Sequence, residues 1–395
     1  MENKYKFIVA DSQFLHITHN DADAVGCALV IEYLRREQKT RGNPEDIAWF
    51  PFHSFNSIAN AKKRINMIIK LLSGEDVTEE EVADYKIITY GKNYPDYGVL
   101  TIPANICISD ISIEDSNILH RLNELSMEYN FTVIYVDHHE SSKHNQQLYR
   151  WCHTQETDEY GQKRSACKYL YDIFVDEDFS ECTIKNFNAF KCLIDDISRY
   201  DTWLWKTDAR QNPTEHHTTI LLQCYGGAYA VFQKISTVLF NGELLGKEVI
   251  QNNLMDNPEF NLLITNTEQK KELCIKRVMN NVVYDMGYKL GFNTYPYATA
   301  YFAMVILPDE FNNDIMEEIY SKSDRPIDVV MGFYPATRSF SFRHSPSGQI
   351  NLNELAATFG GGGHPDAAGA KVDTDTFFKY LSLYYDLLDN KRSQS

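Results

Sequence analysis

The tripeptide Asp137-His138-His139 places one carboxylate and two imidazoles directly after an apolar run, residues 131–136. Six strand-type residues in a row predict a β-strand that ends at this tripeptide. In open α/β sheets, ligand sites lie at the carboxyl ends of the strands. The tripeptide therefore predicts a functional site at one edge of a sheet.

Two further strand-like runs also end in side chains that bind metal ions. Residues 14–18 lead into His19, Asp21 and Asp23, and residues 106–109 lead into Asp110. Carboxylates combined with some imidazole suit Mn²⁺ or Mg²⁺ better than thiolate-preferring ions. We therefore expect a metal centre, and a centre of this composition indicates hydrolysis.

The alternating spacing of His19, Asp21 and Asp23 allows the three side chains to point into one cavity. Clustered carboxylates repel each other unless cations lie between them. The spacing therefore favours two metal ions ~3.5–4 Å apart, which activate water and stabilise in-line displacement at phosphorus. The alternative is that these residues only cap a helix that begins at residue 24, since Asp is a favoured N-cap.

Alternating strand-like and helix-like segments predict an α/β fold with a parallel sheet for the N-terminal part of the chain. The predicted strands are residues 5–10, 14–18, 47–50, 86–90, 105–109 and 131–136. The predicted helices are residues 24–38, 57–72 and 113–129, with a solvated turn and helix start at 73–84. The segment 184–205 also has a helical pattern.

The C-terminal part shows a second, β-rich pattern. Strand-like runs at 298–307, 327–334 and 339–343 precede a helical pattern at 351–359. This predicts a smaller α/β domain over residues 291–395, with a first domain at 1–205 and a helical connector at 206–290.

A glycine run in this second domain predicts a phosphate site. Residues 360–363 are all glycine, and His364 follows them. We interpret the run as a means for backbone N–H groups to approach an anion rather than as a packing device, with a flexible hinge as the alternative. His364 adds a donor, and Arg343 at a strand end adds a bidentate phosphate clamp.

Composition limits the partners. The formal net charge is −17, and Lys and Arg form no basic stripe, which disfavours long duplex nucleic acid. A small phosphorylated substrate at a metal centre remains compatible with this charge.

Apolar runs are far shorter than the ~20 residues that span a bilayer, and the start has no secretory apolar region. The eight cysteines form no Cys-x-x-Cys pair, so we expect a reducing cytoplasm and no zinc site built on thiolates. A homo-oligomer is compatible with these features.

Together these motifs resemble the DHH phosphoesterase superfamily. Residues 18–27, Thr-His-Asn-Asp-Ala-Asp-Ala-Val-Gly-Cys, resemble its first motif, and Asp137-His138-His139 resembles its name-giving motif. Residues 359–364 with Ala367-Ala368-Gly369 are similar to the signature of the associated C-terminal DHHA1 domain. The resemblance covers nearly the whole chain and is greatest for the nanoRNase B type of oligoribonuclease. Ala24 departs from the glycine common in relatives, which is a mild change because Ala is still small.

The resemblance implies a role for each motif residue. One metal ion would be bound by His19, Asp21 and Asp110, and the other by Asp23, Asp110, His138 and an aspartate of a fourth motif. Asp201, in Tyr200-Asp201-Thr202-Trp203, is the favoured fourth ligand, and Asp196 competes with it. His139 would face the phosphate and Asp137 would orient its neighbouring histidine. Arg343, Gly361, Gly362, Gly363 and His364 would bind substrate.

We therefore expect a phosphodiesterase dependent on two Mn²⁺ ions, with Mg²⁺ as the other suitable ion. The resemblance implies that it hydrolyses very short oligoribonucleotides from an end and releases 5′-mononucleotides, with the substrate between the two domains. The alternatives are a hydrolase of cyclic or linear dinucleotides or of 3′-phosphoadenosine 5′-phosphate, and a non-catalytic nucleic-acid-binding relative. The presence of every expected ligand disfavours the non-catalytic alternative.

Overall fold

The structure is a computed structural model that divides into two compact units, residues 1–264 and 265–395. It describes residues 7–41, 50–90, 100–146, 148–155, 157–175, 187–202, 204, 217–241, 257–308, 310–323, 326–344, 350–365 and 367–394. The division lies inside the segment 206–290, which the sequence assigned to a connector.

The first unit contains a five-stranded, fully parallel sheet in the order β2-β1-β3-β4-β5. Its strands are β1 (Phe7–Thr18), β2 (Phe50–Phe55), β3 (Leu100–Ser109), β4 (Thr132–Asp137) and β5 (Cys152–Thr154). The predicted α/β class and parallel sheet are confirmed.

Helices cover both faces of this sheet. One apolar core lies under α2 (Ile58–Leu72), α3 (Glu79–Tyr90) and α4 (Ser116–Tyr129). The core on the other face includes residues of α1 (Ala22–Arg41), α5 (Ala166–Phe174), α6 (Phe187–Asp201), α7 (His217–Tyr225) and α8 (Ala228–Asn241). The helices α7 and α8 lie within the predicted helical connector 206–290 and pack inside the first unit.

Two strand predictions differ from the structure. Residues 7–10 and the segment 14–18 belong to the single strand β1, whose register on β3 shifts between Ala10 and Phe14, while residues 5 and 6 lie outside the described part of the chain. The predicted strand 86–90 is wrong because these residues continue α3. A capping box begins that helix: Glu81 N donates to Thr78 Oγ1 at 3.1 Å, and Thr78 N donates to Glu81 Oε2 at 2.9 Å. The short strand β5 was missed.

The second unit contains a six-stranded mixed sheet in the order β10-β11-β9-β8-β7-β6, in which only β7 and β8 are parallel neighbours among the described strands. The strands are β6 (Val283–Met286), β7 (Tyr301–Ile306), β8 (Val329–Tyr334), β9 (Ser339–His344), β10 (Gly362–His364) and β11 (Ala367–Lys371). The helices are α9 (Pro258–Met279), which begins in the first unit, α10 (Asn312–Ser321), α11 (Leu352–Ala357) and α12 (Thr374–Gln394). The predicted smaller α/β domain is confirmed.

Within the described residues, no helix combines the length and the apolar character that crossing a lipid bilayer requires.

Candidate metal centre

The three predicted ligand segments meet at one edge of the parallel sheet. Thr18 pairs with Ser109 across β1 and β3, and Ser109 pairs with Val136 across β3 and β4. The residues that follow these three therefore leave the sheet side by side. This shared register explains how segments far apart in sequence contribute to one site.

The first group of possible ligands is His19, Asp21 and Asp110, whose ligand atoms lie within 4.8 Å of one another. His19 Nδ1 lies 2.6 Å from Asp21 Oδ2 and 3.8 Å from Asp110 Oδ2. The hydrogen bond to Asp21 raises the pKa of His19 in the absence of metal. The structure thus brings together the residues that the resemblance assigned to one ion.

The second group is Asp23, His138 and Asp201, again within 4.8 Å. His138 Nε2 lies 3.2 Å from Asp201 Oδ2 and 3.6 Å from Asp110 Oδ1. Asp110 thus lies between the two groups, where a bridging ligand would lie. The competing candidate Asp196 belongs to neither group. It lies near the Cys192 thiol, where its charge adds to the effect of burial and raises the pKa of that thiol. The geometry favours Asp201.

Asp23 is held by a helix that the sequence did not connect with the site. Its Oδ2 accepts a hydrogen bond from Ala166 N at 2.8 Å, and its Oδ1 accepts one from Cys167 N at 2.9 Å. These are the first amides of α5, where unpaired N–H groups and the helix dipole favour a carboxylate. Ser165, directly before the helix, was the available sequence signal, because Ser is a preferred N-cap residue.

The buried carboxylates of this site require positive charge. Burial, followed by the neighbouring carboxylates Asp21 and Asp23, raises the pKa of Asp110 well above its usual value. Burial and the same two neighbours also raise the pKa of Asp201. The Oδ2 atoms of Asp110 and Asp201 are buried and have no hydrogen-bond partner among the described residues. Oxygen and imidazole donors of this kind fit divalent ions such as Mn²⁺ or Mg²⁺.

The adjacent histidines His138 and His139 have different surroundings. Burial lowers the pKa of His138, whose side chain is 14% exposed, which suits a neutral metal ligand. His139 is 38% exposed, and its Nδ1 lies 2.7 Å from Asp137 Oδ1. Although burial opposes it, the hydrogen bond and charge of Asp137 raise the pKa of His139 to about 9. His139 also lies within 4.8 Å of Asp110 and His138 as a third group, so a ligand position is open to it geometrically.

Asn20, between the first two predicted ligands, has a structural partner that the sequence did not reveal. Its Oδ1 accepts a hydrogen bond from Ala228 N at 3.1 Å, at the start of α8. The preceding Gly227 has a φ of +134°, which favours glycine. The first motif is therefore attached directly to a helix of the segment predicted as a connector.

Two of the predicted substrate residues of the second unit, Arg343 and His364, lie in one row of its sheet. Arg343 on β9 pairs with Ala367 on β11, which pairs with His364 on β10. Arg343 donates through Nη2 to Asn313 Oδ1 at 3.1 Å and through Nη1 to Phe342 O at 2.9 Å. Burial lowers the pKa of Arg343. The side chain of His364 lies outside the described part of the structure.

The glycine run has a packing role that the sequence interpretation denied. A Cβ atom on Gly361 would lie 2.2 Å from Gly369 O, so β10 and β11 could not approach as they do. Gly361 N donates to Ala356 O and Gly363 N donates to Asn353 Oδ1, both at 2.9 Å. The statement that the run is not a packing device is wrong. Substrate binding by Gly361, Gly362 and Gly363 stays a prediction.

Comparison with known proteins agrees with the motifs. Residues 297–387 match the DHHA1 domain family. The chain is 21% identical over 366 residues to the oligoribonuclease NrnB of Bacillus subtilis (strain 168), and the match covers 92% of this chain and 74% of that protein.

Two solved structures are more distantly similar. One is PggH of Vibrio cholerae, described as a pGpG-specific phosphodiesterase, with a TM-score of 0.46, 10% identity and coverage of 95% of this chain and 98% of that one. The other is RecJ of Thermus thermophilus in complex with Mn²⁺, with a TM-score of 0.46, 12% identity and coverage of 96% of this chain and 52% of that one.

Proposed function

We propose that the chain is a metal-dependent phosphodiesterase of the DHH/DHHA1 phosphoesterase superfamily. Its proposed substrates are very short oligoribonucleotides, which it hydrolyses from an end to release 5′-mononucleotides. The name of the B. subtilis relative, an oligoribonuclease, supports this substrate class.

One observation carries the proposal. Two groups, His19–Asp21–Asp110 and Asp23–His138–Asp201, lie at one edge of the sheet, and His138 lies 3.6 Å from Asp110. This is the arrangement expected of two divalent ions that share a carboxylate. The two buried carboxylate oxygens without hydrogen-bond partners among the described residues support the same arrangement.

The proposed mechanism assigns separate tasks to the groups. Bound Mn²⁺ or Mg²⁺ would supply Lewis acidity and lower the pKa of the attacking water. His139, held by Asp137 and more exposed than His138, would donate a proton or a hydrogen bond to a phosphate oxygen. A cationic His139 is consistent with the raised pKa that Asp137 gives it against the effect of burial.

Two features support a short substrate. The net charge of −17 offers no extended basic track for long RNA. The second unit presents Arg343, a planar guanidinium suited to one phosphate group, in a row with Ala367 and the backbone of His364. Contacts of this kind would bind a terminal phosphate or sugar of the substrate.

The test is a turnover screen with Mn²⁺ that compares dinucleotides, a five-residue RNA, an RNA of about twenty residues, cyclic dinucleotides and 3′-phosphoadenosine 5′-phosphate. We expect fast release of 5′-mononucleotides from the two shortest RNAs only. Equal rates on long and short RNA would contradict end recognition. Preferred turnover of either of the other two compounds would replace the proposed substrate.

The variant Asp110→Asn tests the metal centre within this screen. Asp110 has a φ of +54°, a conformation that Asn tolerates and that would strain Ala. We expect loss of metal binding and of hydrolysis with retained fold, because the variant lacks the charge shared by both groups. Asp115→Asn is the matched control, since Asp115 is exposed, belongs to no ligand group and caps α4, where Asn caps equally well. Wild-type turnover in Asp110→Asn at saturating Mn²⁺ would refute the bridging role.

A further inference from the structure

Two fully buried hydroxyl groups converge on the Asp137 carboxylate from the side opposite His139. Ser142 Oγ donates to Asp137 Oδ2 at 2.5 Å, and Tyr135 OH donates to the same oxygen at 3.3 Å. Asp137 Oδ1 is the atom paired with His139. Asp137, Ser142 and Tyr135 are all 0% exposed. Each carboxylate oxygen of Asp137 thus has its own partners, and water has no access to replace them.

Ser142 contacts both ends of the segment that carries the two histidines. Its hydroxyl lies 2.5 Å from Asp137 Oδ2 and 2.9 Å from His139 O. Because a hydroxyl has a single proton, it is shared between these two acceptors. The shorter distance and the charge of the carboxylate favour Asp137 as the main acceptor.

Tyr135 connects the same carboxylate with the loop that follows the shared ligand Asp110. Its single proton is shared between Ile111 O at 3.0 Å and Asp137 Oδ2 at 3.3 Å, and its oxygen accepts from Ile113 N at 3.1 Å. Asp110 itself has the positive φ of +54° that begins this loop. One buried phenol therefore contacts both the loop after Asp110 and the carboxylate that holds His139.

We propose that Ser142 and Tyr135 are positioning residues that act through Asp137 to fix the ring of His139 relative to Asp110. The inference rests on the proposed function, because it assigns support for the histidine that would face the scissile phosphate. Rotation of a carboxylate about its terminal torsion is soft, with a broad, roughly two-fold profile. Hydrogen bonds to Oδ2 restrict this rotation and keep Oδ1 directed at His139. Without them the imidazole would lose a fixed partner and its orientation.

The kinetic test uses the variants Ser142→Ala and Tyr135→Phe. We expect kcat to fall roughly 10–100-fold in each, the usual effect of removing a partner one step behind a reacting group, while KM and metal content stay near the wild-type values. Tyr129→Phe is the matched control, because the Tyr129 hydroxyl also donates to a backbone carbonyl of this unit, Leu72 O at 2.9 Å, but lies at the end of α4 before β4 begins, whereas the site follows the end of β4. The control should keep wild-type kcat.

A double-mutant cycle separates positioning from general stability. In the His139→Ala background, Ser142→Ala should cause no further loss of kcat, since its effect is exerted through His139. A structural role would instead lower kcat by the same factor in both backgrounds. That result, or a loss of metal in step with kcat, would overturn the proposal.

A measurement without turnover makes the outcome independent of the substrate. With histidine-selective ¹⁵N labelling and Mg²⁺, the Nδ1 proton of His139 should be observable in the wild type and lost to solvent exchange in Ser142→Ala and Tyr135→Phe. A Nδ1 proton that is unchanged in both variants would refute positioning. If the wild type hydrolyses no compound of the screen, the proposed function fails, and this measurement still decides the proposal.

Discussion

The parallel sheet contains a buried histidine, His16, paired with a half-buried one, His53, and the effect of this pair on stability should depend on pH. His16 on β1 and His53 on β2 are register partners, with their Nδ1 atoms 2.9 Å apart. Ser109 Oγ donates to Thr18 at 3.0 Å, so it accepts from His16 Nε2 at 2.7 Å. His16 Nδ1 must then accept from His53 Nδ1. This order of donors requires His16 to be neutral, and His53 is neutral as well because its buried Nε2 has no hydrogen-bond partner among the described residues to receive a proton.

The expected magnitude follows from the folded-state pKa values. Burial lowers the pKa of His53 from 6.5 to about 4, against a smaller opposing effect of Glu32. Burial, and then His53, also lowers the pKa of His16 well below its usual value. Protons therefore bind the unfolded chain more strongly, and stability present above about pH 6.5 is lost as pH falls toward about 4. Between about pH 7.5 and 5.5, His53 alone should reduce the free energy of unfolding by about 1.4 kcal/mol.

The perturbation is His53→Phe, which keeps an aromatic ring against Phe232, whose ring centroid lies 4.5 Å from that of His53. Urea unfolding at the two pH values, in EDTA to remove metal effects, gives the difference between variant and wild type. We expect the variant to be less stable at the higher pH, because His16 loses its donor, and the deficit to shrink by about 1.4 kcal/mol at the lower pH. Phe55→Leu, which changes a neighbour that does not titrate, should show the same deficit at both. A pH-independent deficit in His53→Phe would refute the argument.

Two predictions concern the second unit. Gly361→Ala should lower the stability of the second unit by roughly 1–3 kcal/mol, because the added Cβ would lie 2.2 Å from Gly369 O. In the control Gly362→Ala, the added Cβ would meet only a side-chain oxygen at 3.3 Å, so the loss should be smaller. Equal losses of stability in thermal unfolding would contradict this difference. Arg343→Ala should raise KM for di- to pentanucleotides more than it lowers kcat, and it should leave turnover of a minimal chromogenic phosphodiester unaffected. The control Arg338→Ala, at the preceding turn, should leave the kinetics of both substrates unchanged. Equal loss of activity of Arg343→Ala on both substrates would place Arg343 in the reaction itself.

The sequence predicted the parallel sheet well because its buried strands are nearly continuous apolar runs. The runs ending at Ser109 and Asp137 correspond to β3 and β4. The segment 86–90 has the same apolar, β-branched character but belongs to a helix. Its helical state is set by the capping box at Thr78 and Glu81 and by packing of Tyr85, whose hydroxyl donates to Thr101 O at 2.7 Å. Local composition could not reveal a start signal several residues upstream or a partner on another strand.

For the candidate site, the possible ligands could be predicted but their supports could not. Each ligand motif follows a strand, so its position at the sheet edge was implied by local pattern alone. The groups that hold Asp23 and Asp137, namely the first amides of α5 and the Ser142 hydroxyl, act from other elements. A serine or a backbone amide has no distinctive sequence pattern, so only the folded chain identifies these contacts. Assigning Asp201 over Asp196 likewise required knowing which lies near His138.

The structure shows that Asp21 can cap α1 and still direct an oxygen toward the other candidate metal ligands. Capping of α1 and metal ligation were treated as alternatives for Asp21, but a carboxylate has two oxygens that can serve separate partners. Asp21 Oδ1 accepts from Ala24 N at 3.0 Å, as a cap does, while its Oδ2 faces His19 at 2.6 Å. The amide of α1 therefore fixes the carboxylate, and the remaining oxygen is directed into the first ligand group. Asp23 is fixed in a similar way by a different helix, because amides of α5 donate to both of its oxygens. Its Oδ2 also lies 4.0 Å from His138 Nε2 in the second ligand group. Helix N-termini at this sheet edge thus fix the carboxylates in place, and capping is part of how the candidate metal centre is built.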